Sequence, residues 1–535
     1  MPALPRQPHS DGPEHGVTPA ARPSLRRLLT ETDRFITAAE LVTSRGLITE
    51  TRAQRALEVA RELVTDPRID VLSITDNPAG DAMLSADTMG TDLISRGQEV
   101  IIHLACKDWN RNAIQSRAWK LSSEGFHNIL ALSGDAPIRG YAGVAASVFD
   151  IDSVGLLRMY SDMNEGTVIH GRTETEIERT QFFLGAVTTN HKRNENEVMP
   201  QLLKLRKKVA NGARFIVNQI GYNARKDHEL LQWVRLEGLP ISLLANVFVL
   251  SRASARVFNT DRVPGVTISP ELLAEVERHA AGPDKGRAWA LDLAARQVAI
   301  ARGMGFRGAY LGGHLRTEDY AAILTAADDY EDGWADLARD LQYDLPGEWY
   351  LYERDDATGL ASEELNREYA RSLRKRRRGR GAPARYKLSR LVHRLAFEED
   401  APLSGPGRAL YERAEKAPRI VGKTLHMAEQ AAKVPMFECR DCGDCSLPDI
   451  AYLCPESQCA KNQRNGPCGG TREGSLCEVG EKTCIWSLAY DRLKAYGEES
   501  TMLDGPPVIK DNALAHTSAW ANTFLERDHH AKRRC

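Results

Sequence analysis

Long apolar runs are missing from this 535-residue chain. No stretch approaches about 18 consecutive apolar residues, so nothing reads as a membrane-spanning helix. Net charge is missing as well: 71 Lys and Arg against 73 Asp and Glu leave −2 at pH 7, with no overall pull towards nucleic acid or anionic lipid. Residues 1–28 are rich in Pro, His, Gly and Arg and lack the apolar core of a secretory signal. They read as a disordered extension, and the expected location is the cytoplasm. Cysteine is nearly absent from the first 438 residues, where Cys106 stands alone, and this excludes a disulfide-stapled scaffold for most of the chain.

What is present is a rhythm. From Phe35 to about His314, short β-rich runs alternate with longer amphipathic stretches. The expected strands are 35–40, 69–75, 99–104, 128–132, 182–187, 214–219, 241–246 and 308–311, with helices such as 52–63, 114–123, 198–210 and 228–236 between them. Glycines at 125, 212 and 305 close helices just before new strands. Eight such units over roughly 280 residues match a (β/α)8 barrel. A doubly wound sheet is the competitor, disfavoured because no Gly-x-Gly-x-x-Gly follows the first strand. Barrel chemistry sits where strands end, and those ends carry Glu40, Thr75-Asp76-Asn77, His103, Ser133-Gly134-Asp135, His191 and Gln219. Any one of these is ordinary loop polarity; recurrence across six loops is the informative fact.

The barrel is expected over residues 29–330. Residues 331–425 read as a helical, basic linker region whose run Arg371–Arg380 (RSLRKRRRGR) is taken as a solvated face, because interleaved aromatics for nucleic-acid binding are lacking. A cysteine-rich unit spans 426–495 and a tail without clear signal 496–535. Eight of the ten cysteines fall in the unit: Cys439, Cys442, Cys445, Cys454, Cys459, Cys468, Cys477 and Cys484. Cys439-x-x-Cys442-x-x-Cys445 sets three thiols in one tight loop, as a multi-ligand metal centre requires. Four-thiolate ligation suits Zn2+ or an iron–sulfur cluster, and the repeated spacing with Cys454-Pro455 leans towards [4Fe–4S]. Which cysteines share a site stays open.

These residues resemble the methylenetetrahydrofolate reductase family. The carrying segment is His103-Leu104-Ala105-Cys106-Lys107-Asp108, a helix, then Gly125-Phe126-His127-Asn128-Ile129-Leu130-Ala131-Leu132-Ser133-Gly134-Asp135, supported by Glu40, Ser73-Ile74-Thr75, the His191 loop, Leu202–Gly212 and Gln219. The stretch 439–484 is separately similar to the cysteine-rich domain that accompanies such reductases in some bacteria. The resemblance implies a flavin (FAD, with FMN open) lying across the strand ends and reduction of 5,10-methylenetetrahydrofolate to 5-methyltetrahydrofolate. It gives Glu40 the role of the acid that protonates the folate. Asp135 becomes the pterin partner that also tunes the flavin, and Gln219 a folate contact. It places Thr75, His103, Ser133, Gly134, Asp135, Ala186, His191 and Lys208 at flavin positions, with Lys208 near the phosphates.

Three departures are plain. The family's Arg before Gly-Asp is Ser133, its Phe-Phe-Pro-Pro run is Leu41-Val42-Thr43-Ser44, and an expected Asp aligns near Gln201. With a cluster attached, ferredoxin or a partner flavoprotein competes with NAD(P)H as electron donor, and a homo-oligomer is compatible with the sequence. The alternatives are a non-redox folate barrel acting in methyl transfer with a corrinoid, with zinc as structure, and a catalytically dead interaction scaffold.

Overall fold

The structure, a computed structural model, describes residues 22–171, 173–374, 378–398, 400–503 and 505–531. Eight parallel strands close into a barrel in chain order: β1 (Ile36–Leu41), β2 (Val71–Ile74), β3 (Glu99–Ala105), β4 (Asn128–Leu132), β5 (Phe183–Thr188), β6 (Phe215–Asn218), β7 (Ser242–Phe248) and β8 (Gly308–Gly312). Closure is made where Ile36 of β1 pairs with Gly308 of β8. The (β/α)8 expectation holds and the open doubly wound sheet is excluded.

Side chains alternate across each strand, and the two faces separate cleanly. Ile36, Ala38, Val71, Ile101, Leu130, Phe183, Phe215, Val217, Leu244 and Tyr310 fill the interior. Their neighbours in sequence, such as Leu72, Ile102, Leu104, Ala131 and Ala186, pack outward among the helices. Gly185 has a packing reason: a Cβ there would fall 2.2 Å from the Phe215 ring.

The lower end is sealed by a feature the sequence reading missed. Helix α1 (Leu25–Glu31), capped by Ser24, drives Leu25, Leu28 and Leu29 into the interior cluster, so the extension expected through residue 28 is ordered from Arg22 onward in its described part. Residues 1–21 lie outside the described residues. With the bottom plugged, the polar strand ends at the top are the open side.

Residues 331–437 hold more structure than expected. A hairpin pairs Tyr352–Arg354 with Ala361–Leu365, and helices run over Arg367–Arg374, Ala384–Ala396, Ser404–Lys416 and Arg419–Phe437. Part of the basic run, residues 375–377, lies outside the described residues. Among the described residues no helix is long and apolar enough to cross a membrane. The cysteine-rich stretch follows, made mostly of turns and short helical segments, and helix Ile485–Lys494 docks it on the barrel helix Glu195–Ala210. Tyr490 Oη donates to Glu195 Oε1 at 2.7 Å, and Asn196 Nδ2 to Asp491 Oδ2 at 2.9 Å.

Candidate active site at the barrel mouth and the thiol sites beside it

Glu40 is the penultimate residue of β1 and faces the interior near its top. Tyr310 Oη on β8 donates to Glu40 Oε2 at 2.9 Å. The same hydroxyl lies 3.1 Å from Ser73 Oγ and 3.0 Å from His103 Nε2, and Ser73 Oγ and His103 Nε2 are 2.9 Å apart. Four strands thus contribute to one buried polar chain: β1, β2, β3 and β8. Burial raises the Glu40 carboxyl above its ordinary range, with the Tyr310 hydrogen bond pulling the other way. Burial lowers His103 to about 4, so its imidazole is neutral at pH 7. The arrangement favours a proton on the carboxyl and none on the imidazole, which suits Glu40 to giving up a proton.

Next to this chain the mouth is partly covered by the cysteine-rich segment. Lys461 Nζ donates to Gly134 O at 2.7 Å, stands 4.0 Å from Asp135 Oδ1 and is ion-paired with Glu478; both members of that pair are buried. Ser133 Oγ donates to Gln463 Oε1 at 2.9 Å, and Lys204 Nζ reaches the same oxygen at 3.0 Å and Gly466 O at 3.1 Å. Lys192 Nζ donates to Thr471 O at 2.8 Å. Gly469 allows the closest approach: its φ is +93°, and a Cβ would sit 2.5 Å from Thr189 Oγ1. Gln219 also comes close to this strap, since a Cβ on Gly265 would sit 3.1 Å from Gln219 Nε2 and 3.0 Å from Gly469 O.

The residues expected around a flavin divide into groups. Ser133, Gly134 and Asp135 lie at the mouth, in contact with the strap. Thr75 is buried at the end of β2, and its Oγ1 has no hydrogen-bond partner among the described residues, an orphan polar atom that a ligand can satisfy. Lys208 is buried with Nζ donating to Val187 O at 2.5 Å; burial and the neighbouring Lys204 lower it to about 7. His191 Nε2 is 3.0 Å from Asp227 Oδ1, a carboxylate shared with Asn190 and Asn218. Ala186 packs outward in the layer between strands and helices, and His103 belongs to the Glu40 chain. Sequence reasoning missed Tyr310, Lys461, Gln463 and Glu478. Tyr310 had a legible signal in the inward register of Gly308, Tyr310 and Gly312. Lys461 and Gln463 are brought in by contacts spanning more than 300 residues of chain, and Glu478 by its pairing with Lys461, for which the sequence has no local signal.

The eight cysteines form two quartets. Cys439, Cys442, Cys445 and Cys454 line one small cavity, together with Lys433, Arg464 and the Gly443 backbone. Lys433 Nζ lies 3.5 Å from Cys445 Sγ. Cys459, Cys468, Cys477 and Cys484 make the other: Cys468 acts electrostatically on Cys459 and Cys484, and Cys477 on Cys484. This second quartet adjoins the strap, because Cys468 precedes Gly469. None of the eight is in a disulfide. In a zinc tetrahedron, with Zn–S about 2.3 Å, sulfurs lie about 3.8 Å apart. Among the described residues, no three cysteine sulfurs lie within 4.8 Å of one another. The donor set and the enclosed cavity fit a metal centre with soft ligands.

A family model described as methylenetetrahydrofolate reductase matches residues 30–317, more than half of the chain. The chain belongs to the methylenetetrahydrofolate reductase family. A second model, described as methylene-tetrahydrofolate reductase C terminal, matches residues 419–511, the segment that builds both quartets and the strap. No curated protein matches. Among solved structures, an uncharacterised protein from Clostridium thermocellum that binds two copies of 5-methyl-5,6,7,8-tetrahydrofolic acid is 12% identical, with TM-score 0.42, covering 57% of this chain and 98% of that one. A Yersinia pestis DHPS bound to a pterine–sulfa conjugate is also 12% identical, with TM-score 0.31, covering 56% and 94%. The family places the chain among folate-metabolising enzymes, and the methylenetetrahydrofolate reductase barrel here carries its C-terminal domain against its own mouth.

Proposed function

We propose that the protein interconverts 5,10-methylenetetrahydrofolate and 5-methyltetrahydrofolate with a bound flavin, FAD or FMN, at the barrel mouth. The observation that carries this is the position of Glu40: a buried carboxyl at the mouth of a barrel of this family, hydrogen-bonded by Tyr310 and raised by burial above its ordinary range. In the reducing direction Glu40 gives its proton to the nitrogen that leaves as the five-membered ring opens to an iminium. A flavin supplies the hydride that reduces the methylene carbon. Tyr310 holds the carboxylate left behind, and Ser73 and neutral His103 fix the Tyr310 hydroxyl. Asp135 and Gln219 are the polar groups available to the pterin, and Thr75 Oγ1 and Lys208 are those available to the flavin. A phosphate beside Lys208 would restore the proton that burial disfavours.

Iron–sulfur clusters in the two quartets would supply single electrons from ferredoxin or a partner flavoprotein, making NAD(P)H dispensable. What the chain contributes is position: the quartet containing Cys468 is held against the mouth by Gly469, Lys192 and the Lys461–Glu478 pair.

A second reading, a folate barrel for methyl transfer without flavin, draws on one observation. Ser133 and Lys208, both expected at flavin positions, are engaged by Gln463 Oε1 and Val187 O. Anaerobic purification followed by an absorption spectrum and metal analysis separates the readings. The reductase gives bound flavin, iron and sulfide; the transferase gives folate binding, stoichiometric zinc and no flavin.

A further inference from the structure

Beyond residue 511, where the C-terminal family match ends, the chain turns back over the first cysteine loop. Asn522 Nδ2 donates to Gly443 O at 2.9 Å, His516 N to Asp441 O at 2.9 Å, and Asp511 N to Asp444 Oδ2 at 2.7 Å. Asp444, fully buried between Cys442 and Cys445, also accepts from His529 N at 3.1 Å and bonds His529 Nδ1. The other ring nitrogen, His529 Nε2, faces Asp449 Oδ2 at 3.0 Å, and His530 Nε2 lies 3.6 Å from the same oxygen. The ligating atoms of Asp449, His529 and His530 all fall within 4.8 Å of one another, and the two imidazoles are 4.0 Å apart.

We propose that Asp449, His529 and His530 bind one divalent ion of the zinc class, a site separate from the two thiol quartets. Three observations carry it. Two imidazoles and a carboxylate are the ligand types that hold zinc at about 2.0–2.2 Å, which sets neighbouring donors roughly 3.3 Å apart. The two separations, 3.0 and 3.6 Å, bracket that value. Asp444 accepts the hydrogen bond of the non-ligating His529 nitrogen, the carboxylate–histidine–metal arrangement that fixes the ring and makes it a better ligand. His530 is partly exposed, which leaves an open side for entry and for a water as fourth ligand. Binding replaces the proton bridging His529 Nε2 and Asp449 with the metal ion, so the proton is released. The consequence is mechanical: the ion ties the C-terminal tail, through His529 and Asp444, to the loop that presents Cys442 and Cys445.

The test uses the full-length protein, purified anaerobically, as wild type, His530→Ala and Asp449→Asn, with zinc and iron measured together. The proposal expects about one zinc equivalent fewer in each variant at unchanged iron. Cobalt(II) titration of chelator-treated wild type should give a weak visible absorption without sulfur-to-metal charge transfer, lost in His530→Ala. Trypsin should cleave the tail after Arg527 faster in both variants and in chelated wild type. Equal zinc in all three proteins, or wild type that takes up neither zinc nor cobalt at this site, overturns it. Zinc in the quartets in place of clusters would be seen as thiolate charge transfer with cobalt, common to wild type and variants, and leaves the difference between them as the deciding quantity.

Discussion

The barrel and the cysteine-rich segment are ordered by different forces. Inside the barrel, every strand buries apolar side chains on both faces, and polar side chains gather at the strand ends: Asn128 and Ser242 at the lower end, and Glu40, Ser73, His103 and Tyr310, which satisfy one another, at the top. Between Pro455 and Cys484 no Val, Leu, Ile, Met or aromatic side chain is buried; the interior there is Lys461, Gln463, Arg464, Asn465, Pro467 and Ser475 with glycines. Asn465 shows the style of construction. Its backbone N–H and Nδ2 donate to Asp152 at 2.9 and 3.1 Å, and its Oδ1 accepts from Val508 N at 2.7 Å. A fold of this kind gains little from apolar burial and depends on directional contacts with its host; metal bonds to the quartets, as proposed above, would add to them. The barrel provides the surface, and the cysteine segment provides groups that the barrel's own sequence lacks.

Lys461 is the sharpest example. The family's cation before Gly-Asp is Ser133 here, and a buried lysine from 327 residues downstream sits on Gly134 O beside Asp135 instead.

The largest effect is expected at the acid. Glu40→Gln should lower turnover of methyltetrahydrofolate by about 10²–10⁴-fold while flavin content is unchanged; equal turnover removes Glu40 from the chemistry. The thiols come next. Cys468→Ser should lose the iron nearest the mouth and with it electron delivery from ferredoxin, while the barrel still oxidises 5-methyltetrahydrofolate with an artificial acceptor. Cys442→Ser should lose iron from the distant quartet with less effect on folate affinity. If both variants behave alike, the two quartets are not functionally distinct.

Breaking the Lys461–Glu478 pair sharpens the contrast further. Lys461→Met strands a buried carboxylate and should cost about 3–5 kcal/mol of stability, measured by denaturant unfolding. Lys461→Met with Glu478→Gln should recover part of that loss. The smallest effect is expected from Tyr310→Phe. The Tyr310 hydroxyl stabilises the carboxylate and so opposes the upward shift of Glu40; removing it raises that carboxyl further. Because the protonated form is the active one, the alkaline limb of the pH–rate profile should move to higher pH, with turnover reduced only modestly.

Much of the barrel was legible because apolar alternation and helix periodicity are local properties. All eight strands fall within about two residues of their expected bounds, and Glu195–Ala210 begins where Glu197 accepts from the Asn194 backbone N–H, a start signal written in four residues. Helix α1 was not legible, since Leu25, Leu28 and Leu29 sit among arginines and prolines and gain meaning only from the open barrel floor above them. The helices between Ala384 and Phe437 were obscured by exposed apolar residues such as Leu391, Ile420 and Met427, which blur the contrast between faces. At the site, Glu40 and Asp135 were readable from motif and strand end. The pairing of the cysteines into quartets, the strap across the mouth and the Asp449–His529–His530 cluster were not, because each is set by contacts far apart in the chain.

The central proposal is that Glu40 serves a flavin and a folate at one mouth. Rapid anaerobic mixing of wild type and Glu40→Gln with 5-methyltetrahydrofolate, following the absorbance of bound flavin, tests it most directly. Flavin reduction in wild type, and its near-complete loss in Glu40→Gln at equal flavin content, is the result expected. Flavin that stays oxidised in wild type while the folate is bound, or equal reduction rates in the two proteins, would contradict it.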